Sequence, residues 1–144
     1  MSRPVFWLKR TYITMRNSFD DELSVHNLST SQFEILGYLY QTEGWEQKKL
    51  QKCSGVRAAT LTGLLDKLEE RGLLARVPAE YDARAKIVKL TPSGEQLASQ
   101  LIDVMHQFEN RILAGFSAAE RELLIDWLQR MAQNLGDEGR EGCE

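Results

Sequence analysis

The sequence predicts a mainly α-helical fold with one small β-hairpin, and three observations carry that prediction. Apolar residues recur at three-four spacing through most of the 144 residues. Ser29 with Gln32 and Ser117 with Glu120 form the Ser-x-x-Gln/Glu boxes that open helices. Between Leu73 and Leu90 alone, the period of the apolar residues shortens to two.

The first helix is expected from about Pro4, whose fixed φ suits a first helical turn, with one apolar stripe of Val5, Leu8, Tyr12, Met15, Phe19 and Leu23. Ser29 caps the second, with Leu28 stapled onto Phe33, and this helix buries Phe33, Leu36, Leu39 and Tyr40 before stopping at Glu43-Gly44. Trp45, in the turn that follows, reads as a packing residue. A short third helix runs from about Glu46 to Cys53 and ends at Ser54-Gly55. In the fourth, Leu61, Leu64, Leu65 and Leu68 share one face and leave Ala59, Thr60, Thr62, Gly63, Asp66 and Lys67 outside; Gly72 is a left-handed cap. Two short helices joined by a Gly-containing turn, the second with a small polar outer face, form the helix-turn-helix pattern.

Leu73–Val77 and Ala85–Leu90 read as strands joined by the polar connection Pro78 to Arg84, a hairpin of the kind called a wing. Thr91-Pro92 opens a long helix with Leu97, Leu101, Val104, Met105, Phe108, Ile112 and Leu113 on one side. The Ser117 box starts the last helix, with Leu124, Trp127, Leu128, Met131 and Leu135. Residues 1–135 are thus expected to form one domain, with a winged helix-turn-helix at about 28–90 between helices at about 4–23 and 92–135. The tail at 136–144 is expected to be disordered. The flanking helices carry more apolar positions than a small winged module can cover. A homodimer built from both chain ends satisfies them, the alternative being that they cover one another within a monomer.

A hydrophobic fraction of 42% supports a core of ordinary size. No apolar run approaches the roughly 20 residues that span a bilayer. Val5-Phe6-Trp7-Leu8 is cut short by Lys9 and Arg10 before it could serve as a signal peptide, so a cytoplasmic protein with no membrane partner is expected. Cys53 and Cys143 lie far apart, the second in a Gly/Glu tail, and no disulfide is expected. His26 and His106 complete no metal-ligand spacing, and neither metal nor cofactor is expected. Although the chain carries a net charge of −3, the stretch from Glu46 to Leu90 holds ten basic and six acidic residues. A basic middle between acidic ends suits a polyanion-binding module.

The chain resembles the MarR family (multiple antibiotic resistance regulators) in four motifs at close to the family's spacing. These are Leu28-Ser29-x-x-Gln32-Phe33-x-x-Leu36, Val56-x-x-Ala59-Thr60-Leu61-Thr62-x-Leu64-Leu65-Asp66-Lys67-Leu68-Glu69-Glu70-Arg71-Gly72-Leu73-Leu74, Asp82-x-Arg84-x-Lys86 and Leu90-Thr91-x-x-Gly94. The resemblance implies a homodimeric regulator with two recognition helices in successive major grooves and two wings in the flanking minor grooves of a pseudo-palindromic duplex. Thr60 and Thr62 then offer hydroxyls and methyls to base edges, and Ala58 and Ala59 let the helix approach the groove floor. Arg84 enters the minor groove. Through the family, Asp82 orients a wing arginine, either Arg84 or Arg76. Lys48, Lys49, Arg57 and Lys86 contact phosphates, and Lys67 completes the face. Arg57 stands where the family usually has a capping Ser or Asp, and Gly63 where a long side chain is common, which shifts specificity toward the wings and DNA shape.

Family members commonly answer small aromatic or anionic effectors, and here Tyr12, Met15, Arg16, Phe19, His26 and Phe33 could line the cleft, although such a stripe also suits a plain core. The default role is a repressor, because a compact dimer acts by occupying DNA. Two alternatives stand beside it. One is thiol sensing through Cys53, although the family's hydroperoxide branch uses a cysteine near the end of helix one and this chain has none before Cys53. The other is a protein-interaction adaptor, disfavoured by the retained Arg84, Lys86 and Lys89. No phosphate loop, metal cluster or nucleophile–His spacing points to an enzyme.

Overall fold

The structure is a computed structural model and describes residues 3–139 and 142–143. In chain order the elements are α1 (Pro4–Leu23), a 3-10 turn (Ser24–His26), α2 (Thr30–Leu39), β1 (Trp45–Glu46), α3 (Gln47–Ser54), α4 (Ala58–Glu70), β2 (Leu74–Pro78), β3 (Lys86–Leu90), α5 (Pro92–Ile112) and α6 (Ala118–Asn134).

Local chemistry sets the helix starts. At both Ser29 and Ser117 the serine side chain accepts from the N3 amide and the N3 side chain accepts from the serine amide, so two orphan N–H groups are satisfied at each end. Thr91 caps α5 by accepting from the Gly94 amide at 3.1 Å, and donates its hydroxyl to the Gly72 carbonyl at 2.6 Å. A Cβ at residue 94 would lie 1.9 Å from the Leu73 carbonyl oxygen, so only glycine lets α5 start against the base of the hairpin. Gly55, at φ 67°, closes α3 in the left-handed conformation.

The sheet is antiparallel in the order β1-β3-β2, with Leu74 opposite Leu90, Pro78 opposite Lys86, and Trp45 opposite Val88. Behind it lies one core in which Leu36, Leu39, Leu50, Leu61, Leu65, Leu68, Val88 and Leu101 are wholly buried. Phe19 of α1 packs against Phe33 and Phe108, with ring centroids 5.2 and 4.9 Å away, and joins α1 and α5 to that core. The Thr30 hydroxyl and amide donate to Asp20 at 2.7 and 2.6 Å, tying α1 to the first turn of α2. These bonds, the hydroxyl's first, hold the Asp20 carboxyl below its ordinary value.

Several expectations need correction. Cys53 and Cys143 are disulfide-bonded across a sequence separation of 90, because the fold carries the chain end back onto α3. The expected tail at 136–144 lies in part outside the described residues. The apolar stripe of α1 is buried only in its second half: Phe19 and Leu23 are interior, while Val5, Leu8 and Tyr12 are exposed. Tyr40 is half-buried, since the backbone leaves the helix there. The hairpin strands start one residue late, because the Leu73 amide donates back to Leu68 and the Ala85 amide to Asp82. The two-residue strand β1 was not expected.

Candidate nucleic-acid interface

The sheet and α2 hold α3 and α4 so that α4 turns Leu61, Leu65 and Leu68 inward. That orientation leaves Arg57, Ala58, Ala59, Thr60, Thr62, Gly63 and Lys67 exposed along one edge. No side chain caps the start of α4 at Arg57, so the first amides of the helix are uncapped by any side chain at its exposed end. The Thr62 hydroxyl donates to the Ala58 carbonyl at 3.0 Å, which commits its hydrogen and leaves both oxygen lone pairs to accept from a partner.

Two clefts join the basic residues into one surface. One, of about 410 Å³, runs between α3 and the start of α4 and is lined by Lys48, Gln51, Lys52, Gly55, Val56 and Arg57. The other, of about 620 Å³, lies between α3 and the hairpin; Lys48 borders it too, facing Asp82, Arg84 and Lys86. Lys49 departs from this set: its ammonium sits 4.0 Å from the centroid of the Trp45 ring, which is itself buried.

At the hairpin tip Asp82 accepts from the Arg84 amide at 2.9 Å and stands 3.7 Å from the Arg84 Nε, so Arg84 is the wing arginine it contacts. The Arg84 side chain is 96% exposed. Arg76 instead reaches Asp66 at 2.5 Å and Glu69 at 3.1 Å. Its bond to Glu69 comes first among the causes that raise its pKa, and the same bond lowers that of Glu69. This clamp ties β2 to α4 and engages two acids of the helix that would otherwise repel phosphate. Arg71 adds a second brace by donating to the Asn27 and His26 carbonyls at 2.8 and 2.9 Å. Sequence reasoning missed both braces; the only signal was Asp66 and Glu69 at a helical i, i+3 spacing.

Of the residues expected to line an effector cleft, Met15 and Phe33 border different spaces. Met15 borders a space of about 410 Å³ between α1 and α5, with Trp7, Arg10, Phe108 and Arg111. Phe33 borders a different one of about 710 Å³. Phe19 is core, Tyr12 is exposed, and His26 is half-buried in the 3-10 turn. Arg16 donates to Ser31 at 2.6 Å and to the Tyr12 hydroxyl at 3.2 Å.

An exposed helix after a tight turn, with a three-stranded sheet whose hairpin projects beside it, defines a winged helix-turn-helix protein. Comparison with known sequences narrows the class: the chain belongs to the MarR family, whose pattern matches residues 28–86. It is 34% identical over 110 residues to YdgJ of Bacillus subtilis, an uncharacterised HTH-type transcriptional regulator, covering 76% of this chain and 67% of that one. Among solved structures, S. aureus MepR in its DNA-binding conformation superposes with a TM-score of 0.84 at 26% identity, covering 93% of this chain and 99% of MepR. BpsR of Bordetella bronchiseptica, whose DNA binding is regulated by 6-hydroxynicotinic acid, superposes with a TM-score of 0.84 at 25% identity, over 91% of this chain and 94% of its own.

Proposed function

We propose that the protein regulates transcription as a homodimer that binds duplex DNA in a sequence-specific way, acting as a repressor released by a small-molecule effector. The observation that carries this reading is the small-residue edge of α4, bordered by clefts that Lys48, Arg57, Arg84 and Lys86 line. A major groove about 12 Å wide admits a helix, and Ala58, Ala59 and Gly63 let its backbone come close to base edges that Thr60 and Thr62 can read. Arg84 stands at the end of a narrow hairpin and fits a minor groove, whose negative potential is deepest over A·T-rich sequence. Lys48, Arg57 and Lys86 neutralise phosphates, which sets affinity and its dependence on salt.

The homodimer is supported by apolar residues that one protomer leaves uncovered. Trp7 and Trp127 are 55% and 52% exposed, beside Val5, Phe6 and Leu8 on α1 and Leu123, Ile125 and Leu128 on α6. Apolar surface on that scale, carried at the two chain ends, fits a twofold interface. Half-sites about 10 bp apart on a pseudo-palindrome would match the pair of α4 helices. Selection from a random duplex pool tests the reading: it should return an inverted repeat, and enrichment of no duplex at low salt would refute it.

The effector is an aromatic carboxylate in this reading. The space beside Met15 supports it, because Arg10 lines it next to Trp7 and Phe108, with Arg111, which pairs with Glu22 and lies over the Phe108 ring, at its border. A panel of phenolic acids at millimolar concentration should raise the melting temperature, and a flat response across the panel would exclude this ligand class.

A further inference from the structure

We propose that Tyr81 is a DNA-contacting residue: its ring packs on a deoxyribose of the strand that runs between the major and minor grooves, and its hydroxyl donates to the adjoining phosphate. The role rests on duplex binding by this chain, and it adds an uncharged contact to a surface otherwise defined by its cations. Tyr81 sits in the connection between β2 and β3, one residue before Asp82, and is 68% exposed. Among the described residues, no hydrogen bond or ring contact ties its side chain down. The turn is closed by other groups. The Ala79 amide donates to the Ala85 carbonyl at 2.9 Å, the Ala85 amide donates to the Asp82 carbonyl at 3.0 Å, and the Asp82 side chain accepts from the Arg84 amide. An exposed ring is common on protein surfaces, and what singles out Tyr81 is where this braced turn holds it.

Tyr81 lines the cleft of about 620 Å³ between α3 and the hairpin, together with Lys48, Gln51, Arg84 and Lys86. Lys48 also borders the cleft that leads to the start of α4. A duplex touched by both α4 and the hairpin tip puts one sugar-phosphate strand between them, because a single backbone separates a major groove from the next minor groove. That strand crosses Lys48 and enters the cleft beside Tyr81. It alternates anionic phosphates with deoxyribose faces made of C–H groups, and the cleft offers the matching set of cations around one phenol. Glu46 and Asp82 line it too, but Asp82 stands 3.7 Å from the Arg84 Nε and the three cations outnumber the two acids. Tyrosine suits such a strand because its body is apolar and its tip polar, and its hydroxyl is among the groups that donate to phosphate oxygens. A lysine gains affinity by releasing counterions, which salt opposes. A ring gains it by covering C–H surface, and salt leaves that part unscreened.

The test titrates the full-length protein, Tyr81→Ala, Tyr81→Phe and Lys48→Ala with the duplex recovered by selection over a range of salt concentrations, with thermal melts alongside. Tyr81→Ala should bind at least about tenfold more weakly at every salt concentration, on a line of log K against log salt parallel to the parent's, with its melting temperature unchanged within a degree or so. Lys48→Ala should flatten that line by about one unit per protomer. Tyr81→Phe keeps the ring and loses the hydroxyl, so its affinity should fall between the parent and Tyr81→Ala. Parental affinity in Tyr81→Phe refutes the phosphate bond, and parental affinity in Tyr81→Ala overturns the whole contact. A flattened line in Tyr81→Ala, or a melting temperature lowered by several degrees, overturns it as well, since Tyr81 would then act through the cations or through the fold. A parent that binds no duplex refutes the DNA-binding reading and the role of Tyr81 together, whereas a parent that binds beside an unimpaired Tyr81→Ala refutes the role of Tyr81 alone.

Discussion

Between Leu28 and Leu90 every helix buries at least one leucine completely: Leu36 and Leu39 in α2, Leu50 in α3, and Leu61, Leu65 and Leu68 in α4. The seventeen-residue α6 buries none of its side chains, and α1 buries only Phe19 and Leu23. The winged module, with Phe19 and Leu23 of α1 and Ala98, Leu101 and Phe108 of α5, closes one core within the chain, whereas α6 and the first half of α1 leave apolar residues exposed, the surface that the proposed homodimer would cover. This difference separates the determinants of folding from those of assembly, and it can be broken by substitution.

The largest effect is expected in the module. Leu65→Ala should cost about 2–5 kcal/mol of unfolding free energy, since a wholly buried leucine loses its transfer energy and leaves a cavity. Chemical denaturation followed by circular dichroism measures it. On the other side of the comparison, Trp127→Glu should leave helix content unchanged yet weaken self-association at least about a hundredfold, roughly 2.7 kcal/mol. Sedimentation reads it, and a variant that stays as associated as the parent would place the interface elsewhere.

Smaller effects sharpen the contrast inside the module. Arg84→Ala removes a side chain that is 96% exposed. It should leave the melting temperature within a degree or so while lowering duplex affinity by about 1–3 kcal/mol. Asp20→Asn, at the seam between α1 and the module, should lose about 1 kcal/mol of stability at neutral pH, because Thr30 donates twice to the carboxylate. The folded-state pKa of Asp20 lies below its ordinary 3.8. Its contribution is therefore complete above that ordinary value and is lost as pH falls through the folded one. Thermal melts between pH 7 and 3 should show the parent losing more stability over the acid range than Asp20→Asn.

What the sequence disclosed and what it withheld divide along the range of the interactions involved. The capping boxes at Ser29 and Ser117 and the Thr91 cap span three residues each, so they were readable and set the helix starts. The leucine faces of α2 and α4 and the alternation in β2 and β3 are likewise properties of short windows. Strand β1 has two residues and no period of its own; it exists because β3 offers a free edge to Trp45 and Glu46. The Cys53–Cys143 bond and the Arg71 brace link residues 90 and about 45 positions apart, and only the assembled core brings them together. Among the candidate site residues, the α4 edge and the wing follow from helical and strand periodicity. The effector candidates are less legible, because an apolar stripe on one helix does not say which neighbour covers each turn: Phe19 packs against α2 and α5, while Tyr12 is exposed.

The measurement that tests the central claim most directly is the affinity of the purified protein for its selected duplex across a range of salt concentrations. Lys48, Arg57, Arg84 and Lys86, duplicated in a dimer, predict a linear fall of log K against log salt with a slope between about −4 and −8. A slope near zero, or no binding at any salt, would contradict a cationic surface that works by neutralising phosphates.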